Sequence, residues 1–333
     1  MKVCEFMNIE LSIVIIGKNE EQNIGRCLES IESAMKNTTY NYEVIFVDSN
    51  SKDNTIKIAS EFEFKNFSIY KIINSNFYTA SLARNIGCEK SCGKYILFLD
   101  ADMVLHSGFI EIAIPKLFVK KHIGGIIGIR NDIVKNGNGN NVINKNVYKT
   151  NVEKKATHFG GALLAKSSVI KKVGGYSGHL IASEEPELYI RLLSNGYFVK
   201  EINVDMIDHY DRKSNNKIKI KALFSKRSSG IGQVIKESLI NRNFDVLLHH
   251  KPIMQFLVPW LCDVISVFTL LISMFSLSGF FLGVTFLVQL ISLFICIFAY
   301  NPKKFLISKI MFYSITKGLF IGRNVEFNLL KVK

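Results

Sequence analysis

The chain has 333 residues, 48% of them hydrophobic, and a formal net charge of +14. That length suits one large domain with appendages, or two domains, and the apolar share is enough for a sizeable core. The positive charge invites a nucleic-acid reading, but its distribution argues against one. From Lys251 onward eight Lys/Arg stand against two acids, Asp263 and Glu326, beside long apolar segments; this is the pattern of basic residues at a cytoplasmic membrane surface.

The first residues, MKVCEFMNIE, lack the apolar core of a signal peptide, so the chain before residue 250 is expected in the cytoplasm. LSIVII at 11–16 is an uninterrupted, β-branched apolar run, as in a strand covered on both faces. Gly17 ends it. Ile24, Cys27, Leu28, Ile31 and Met35 recur at helical spacing. A second strand at 42–47 ends at Asp48, DSNSKDNT has turn chemistry, and a helix starts at Thr55. A third strand is read at 67–73, a helix at 80–92 and a fourth strand at 95–99. Strands alternating with helices imply a mostly parallel α/β sheet. Ligands of such sheets bind beyond the carboxyl ends of the strands, where residues 17–20, Asp48, Asp100 and Asp102 all fall.

Beyond Asp102 the pattern loosens. An apolar strand is expected at 123–129. The Asn-, Gly- and Lys-rich stretch 131–155 reads as a mobile surface insertion. A short strand is expected near 159–165 and a helix at 185–195, with Pro186 in its first turn and Glu187 four residues before Arg191. A strand follows at 197–202. Of six scattered cysteines, Cys88 and Cys92 are spaced C-x-x-x-C without a second pair to complete a zinc site, so all are expected to be reduced.

Residues 264–300 contain no charged side chain. With 253–262 added they suffice for two membrane helices of about 20 residues each, turning near 276–279, with Asp263 inside the first. Lys251 before the pair and Lys303 and Lys304 after it put both ends inside. The expectation is a multi-pass cell-membrane protein with a cytoplasmic catalytic part. Residues 303–323, punctuated by Lys309 and Lys317, read as an interfacial amphipathic helix. Lys213, Lys217, Lys219, Lys221, Lys226 and Arg227 read as a docking face for anionic membrane lipids. The domain reading is 1–225 for the α/β part, 226–252 for a basic membrane-surface segment, 253–300 for the membrane hairpin and 301–333 for an amphipathic cytoplasmic tail.

The chemistry concentrates in SCGKYILFLDADMVL. Residues two apart on a strand share a face, so Asp100 and Asp102 are expected to point the same way. Two close carboxylates repel, and one takes up a proton unless a cation lies between them. A divalent metal explains the pair. A dinucleotide-binding reading of Asp48 fails at the first turn, GKNEEQN, because Glu20 and Glu21 would repel a pyrophosphate on that helix N-terminus.

LSIVIIGKNEEQNIGRCLESI, EVIFVDSNSKDNT, SLARNIGCEKSCGKYILFLDADM and GGYSGHLIASEEPELYIRLLSNGY, in this order, resemble family 2 of the nucleotide-sugar glycosyltransferases over roughly residues 10–210. The resemblance implies a GT-A fold, a Rossmann-like α/β domain, here followed by the membrane hairpin and interfacial helix. It implies a nucleotide-diphosphate sugar donor, Mg²⁺ or Mn²⁺, and inversion at the anomeric carbon. It assigns Asn19, Glu20, Asp48, Arg84, Asp100 and Glu184 to the nucleotide-sugar, and Asp100, Asp102 and His209 to the metal. Asp53 matches a further acid of the second loop or caps the next helix. Asp48-Ser49 replaces the usual Asp-Asp. Glu185, in place of the usual Asp, is assigned as general base, and the helix N-terminus there favours its ionised form. A site held at the bilayer suits a lipid-linked saccharide or a growing cell-surface polysaccharide as acceptor. No nucleic-acid partner is expected, and a homo-oligomer is compatible with the sequence. The alternative is a catalytically silent sugar-nucleotide-binding or scaffold protein of the same fold, against which the carboxylates at 100, 102 and 185 argue.

Overall fold

The computed structural model describes residues 8–135, 141–211, 223–276 and 279–333. Lys213, Lys217, Lys219 and Lys221 of the expected docking face lie outside these residues. The described residues fall into two compact units. One runs to Leu180 and takes in Glu187–Ser214 and Arg323–Lys333; the other comprises Ile181–Pro186 and Asn215–Gly322.

The first unit is a mixed α/β sheet. Its strands are β1 (Leu11–Gly17), β2 (Tyr42–Asp48), β3 (Phe67–Ile73), β4 (Tyr95–Asp100), β5 (Met103–Leu105), β6 (Ile123–Lys135), β7 (Asn141–Asn144), β8 (Lys154–Lys155), β9 (Leu163–Lys166), β10 (Phe198–Asp211) and β11 (Asn328–Lys331). The main order is β11-β3-β2-β1-β4-β9-β6-β10-β5. β3, β2, β1 and β4 are mutually parallel. β9 then runs antiparallel to both β4 and β6, and β10 is parallel to β6. Leu11, Ile13, Val14 and Ile15 of β1 are buried, as a strand with neighbours on both edges and cover on both faces requires. Helix α1 (Ile24–Met35) buries the periodic set Ile24, Cys27, Leu28, Ile31 and Met35. Helix α2 (Thr55–Ser60) follows β2. Helix α3 (Ala80–Lys90) starts where the Thr79 hydroxyl accepts from the Leu82 amide. Its Gly87 lies against Val14 so closely that a Cβ would collide with the valine methyl group.

Helix α4 (Phe109–Val119) occupies the region where the sequence pattern loosens. It is apolar on most sides and carries Pro115 in its interior, so no helical period announces it. The expected mobile insertion is partly anchored: β7 pairs with β6, the Asn146 amide donates to the Asn131 side chain at 3.0 Å, and buried Thr150 donates to Glu201 at 3.1 Å. Helix α5 (Ser167–Lys172) follows β9. Helix α6 (Glu184–Ser194) carries the expected i,i+4 pair: the Arg191 guanidinium meets the Glu187 carboxylate at 2.5 Å, both buried. β11 adds the chain terminus to β3 in antiparallel register. Cys27, Cys88, Cys262 and Cys296 are free thiols, whereas Cys92 is disulfide-bonded, which corrects the all-reduced expectation.

The second unit is helical: α7 (Gly230–Ile240), α8 (Phe244–Leu248), α9 (Lys251–Ser276), α10 (Gly279–Ala299) and α11 (Lys303–Phe320). α9 and α10 are long and apolar enough to cross a membrane, with mean hydropathies of 2.0 and 2.5 over their most apolar stretches. Much of their apolar surface faces outward, as at Phe268, Phe275, Phe286 and Phe298. Their polar residues turn inward. Thr269 meets Thr285 at 2.7 Å, Gln289 donates to Ser266 at 2.7 Å, and Lys309 of α11 pairs with Asp263.

Candidate functional site

Parallel pairing aligns the ends of β1, β2 and β4. Gly17 lies opposite Asp48, and Ile16 opposite Asp100. The pairing continues past the strand ends, with the Ser49 amide donating to Gly17 O at 2.9 Å and the Ala101 amide to Ile16 O at 2.8 Å. Asp48 and Asp100 therefore end the two strands that flank β1, at the carboxyl edge where a ligand of such a sheet binds.

The first two loops are laced together. Asn19 adopts φ +56°, a left-handed conformation that asparagine tolerates. Its amide donates to Ser51 Oγ at 2.8 Å, and its side-chain oxygen accepts from the Lys52 amide at 2.9 Å. The Glu20 amide donates to Thr55 Oγ1 at 2.8 Å, and the Glu20 carboxylate accepts from Asn23 at 2.8 Å. Asp48 is buried and accepts from both the amide and the hydroxyl of Ser51. Burial pushes its carboxyl above the ordinary carboxylate value, against the pull of the Ser51 hydrogen bonds and Lys71. Asp53 accepts from the Thr55 amide at 3.1 Å and its hydroxyl at 2.5 Å, and from the Glu21 amide at 3.2 Å. These bonds, outweighing partial desolvation, hold Asp53 below the ordinary value. Asp53 thus ties the two loops together and steadies the start of α2.

Asp100 and Asp102 do not share a strand face. β4 ends at Asp100, and Asp102 lies in the turn before β5; the alternation argument stops where the strand stops. The cation beside Asp100 belongs to the chain. Arg84, 1% exposed, reaches Asp100 Oδ1 with Nη2 at 2.6 Å, and its guanidinium lies 5.5 Å from the centre of the Tyr176 ring. Asp102 has a different neighbour. β10 pairs antiparallel with β5, so His209 stands opposite Met103, and the Tyr210 amide donates to Asp102 O at 2.9 Å. His209 Nε2 lies 3.5 Å from Asp102 Oδ2, while its Nδ1 faces Arg130 at 2.8 Å and Asp132 at 3.2 Å. Burial opposes the imidazolium, but the Asp102 carboxylate more than offsets it, so His209 titrates above an ordinary histidine.

Asp102 Oδ1 is buried without a hydrogen-bond partner. An orphaned buried carboxylate oxygen is costly unless something takes its lone pairs. Among the described residues no group of three or more His, Cys, Asp or Glu is gathered for a metal. Hard cations at phosphate sites use one or two carboxylates and complete their shell with phosphate and water. The unpartnered Asp102 oxygen is a donor of the kind such a cation takes up.

Five of the contributing residues carry no signal of their own in the sequence. Ser51, Arg130, Asp132 and Tyr176 reach the site through pairing and packing between distant segments. Gly161 lies so close to Asp100 that a Cβ there would strike Oδ2 and stand 2.9 Å from Arg84 Nη2. Glu184 and Glu185 open α6, after Ser183 at φ +65°, and belong to the second unit.

Residues 12–173 match the glycosyl transferase family 2 profile. Over 202 residues the chain is 28% identical to the glycosyltransferase AglE of Haloferax volcanii, covering 56% of this chain and 62% of AglE. It is 31% identical over 119 residues to the Escherichia coli UDP-Glc:alpha-D-GlcNAc-diphosphoundecaprenol beta-1,3-glucosyltransferase WfgD, covering 35% of this chain and 44% of WfgD. These matches therefore span less than two thirds of either relative. The fold is that of Staphylococcus aureus TarS residues 1–349, solved in complex with UDP-GlcNAc, with a TM-score of 0.56, 14% identity, and coverage of 73% of this chain and 71% of that one.

Proposed function

We propose that this chain, whose residues 12–173 are a glycosyl transferase family 2 domain, transfers a sugar from a nucleotide-diphosphate sugar to a lipid-linked saccharide or cell-surface polysaccharide at the cytoplasmic face of a membrane. The observation that carries the reading is the alignment of Asp48, Arg84, Asp100 and Asp102 along one rim of the sheet. The apolar helices α9 and α10 support a membrane hairpin, and the acceptor named for WfgD supports a diphospho-lipid one.

Asn19 and Glu20 meet the nucleotide, and Asp48 its ribose or base. Arg84 and Asp100 form a charged pair at the diphosphate and ribose side. Asp102 and His209 would hold a Mg²⁺ or Mn²⁺ ion, whose chemistry there is to neutralise charge on the departing diphosphate. Glu184 lies on the nucleotide-sugar. Glu185 removes the proton from an acceptor hydroxyl. That oxygen forms its bond to the anomeric carbon from the face opposite the diphosphate, and the carbon–oxygen bond to the diphosphate breaks with its electron pair leaving on the nucleotide. The product is inverted.

The test is a donor screen on the full chain in detergent, with Mn²⁺ and with chelator, reading released nucleoside diphosphate and product. Glu185→Gln should leave donor binding roughly unchanged while turnover falls by about 10²–10⁴. Near-normal turnover in that variant removes Glu185 from the mechanism.

A further inference from the structure

We infer that the second unit carries a binding site for an isoprenoid phosphate lipid, in a cavity of about 470 Å³ between α11 and the residues ahead of α7. This rests on the glycosyltransferase reading and gives its acceptor a place. The volume lies within the range of small-molecule sites.

The lining has two chemistries. Phe224, Ile310 and Tyr313 supply apolar wall, while Lys226, Lys317 and Ser314 supply two ammonium groups and a hydroxyl. Among the described residues no acidic side chain lines the cavity. Phe224 and Tyr313 are exposed large side chains beside it, which a hydrocarbon would cover. A pair of lysines with no acidic neighbour among the described lining residues, next to an aromatic wall, is complementary to one anionic head carrying one apolar chain. Ammonium groups bind phosphate as point charges, needing no fixed fork of donors.

The cavity also has a defined level along the apolar helices. Lys309 pairs with Asp263, and the Trp260 ring nitrogen donates to Thr316 at 3.0 Å. As α11 advances from 309 to 316, its partners on α9 recede from 263 to 260. The two helices therefore run antiparallel, and Lys317 lies towards the Lys251 end of α9. That is the basic end of the first apolar helix, where a membrane-borne phosphate head would sit. The wall is held by backbone contact. A Cβ on Gly232 would strike Ile315 O, and one on Gly318 would strike Ser229 O, so α7 and α11 meet without intervening side chains. Ile181, also in the lining, comes from the same stretch of this unit, Ile181–Pro186, as Glu185. A lipid head bound here is thereby placed in the unit that carries the proposed base.

The experiment titrates farnesyl diphosphate into the full chain in non-ionic detergent by calorimetry, with farnesol, inorganic pyrophosphate and phosphatidylglycerol as comparators. Farnesyl diphosphate should saturate one site, with each comparator at least about tenfold weaker. Lys226→Gln/Lys317→Gln, at two exposed positions, should weaken the probe by about ten- to thirtyfold and leave nucleotide-sugar binding unchanged. Tyr313→Ala should weaken farnesyl diphosphate but not pyrophosphate. Equal binding by the double variant overturns the site. Pyrophosphate binding as tightly as the probe makes it a free-phosphate site, and full competition by phosphatidylglycerol makes it a general lipid surface; either result also overturns the inference. Should donor hydrolysis proceed while the probe ignores the lysines, the cavity proposal alone falls. Should the probe obey the lysines while no donor is bound or hydrolysed, the glycosyltransferase reading falls instead.

Discussion

Gly161→Ala tests whether the Arg84–Asp100 pair is held in place by its surroundings. The added methyl carbon would land on Asp100 Oδ2, 2.7 Å from its Cγ and 2.9 Å from Arg84 Nη2. Asp100 must turn away from Arg84, or the backbone at 161 must move. Overpacking costs about 1–3 kcal/mol, and losing a charge-assisted hydrogen bond adds roughly 1.5–3 kcal/mol. Partial relief by backbone movement brings the total to about 2–4 kcal/mol, by the same principles. In a unit of this size that lowers Tm by roughly 4–16 °C. Gly160→Ala is the matched control. Its Cβ would meet the Tyr148 hydroxyl at 2.7 Å and Arg130 Nη1 at 3.1 Å, and neither Asp100 nor Arg84 is among its near neighbours. Thermal unfolding and donor hydrolysis of the two purified variants give the readout. Gly161→Ala should lose turnover and should lose more stability than Gly160→Ala, which leaves the Arg84–Asp100 pair in place. Equal effects, or an unchanged Tm for Gly161→Ala, refute the reasoning.

Two further outcomes follow from buried charge. Asp48 has its carboxyl raised by burial, so the folded state holds that proton more tightly than the unfolded chain. Its contribution to stability is complete below the ordinary carboxylate value and is lost as pH rises through the raised one. Asp48→Asn cannot ionise, so its Tm relative to wild type should climb between pH 4 and pH 7; a fall over that range reverses the sign and rejects the assignment. Lys309→Met would strand the Asp263 carboxylate, which is buried and has one oxygen already without a partner, at a cost of about 3–5 kcal/mol. Adding Asp263→Leu should restore most of the detergent-solubilised protein's thermal stability, and additive losses in the double variant would show that the two side chains are not coupled.

The parallel half of the sheet was legible because β1, β2 and β4 are buried on both faces, which leaves unbroken apolar runs ending in a turn. The acids at the ends of β2 and β4 stood out for the same reason: a charge that terminates a buried run has to be at a rim. Helix α4 left no such mark, since Ile112, Phe118 and Val119 are exposed alongside a buried apolar face. β11 was hidden because a four-residue strand is fixed by its partner β3 and not by its own pattern. The surroundings of His209 were hidden by register. Arg130 and Asp132 on β6 reach it across 79 and 77 positions, through strand pairing interrupted between Glu201 and Asp205, and such pairing leaves no local periodicity.

The two acids of Asp-Ala-Asp escape mutual repulsion by separate means. Asp100 closes β4 against Arg84, a permanent cation withdrawn from water, so its charge is balanced before any ligand arrives. A guanidinium cannot lose its proton in this range, so the cation beside Asp100 is always present. Asp102 has left the strand, keeps one oxygen without a partner and has a titratable imidazole beside the other. Its environment changes with whatever arrives. The fixed pair is suited to setting the frame of the rim, and the unfinished one to responding to a ligand. Replacing Asp102 should therefore change ligand affinity more than folding, and disturbing Asp100 should change both.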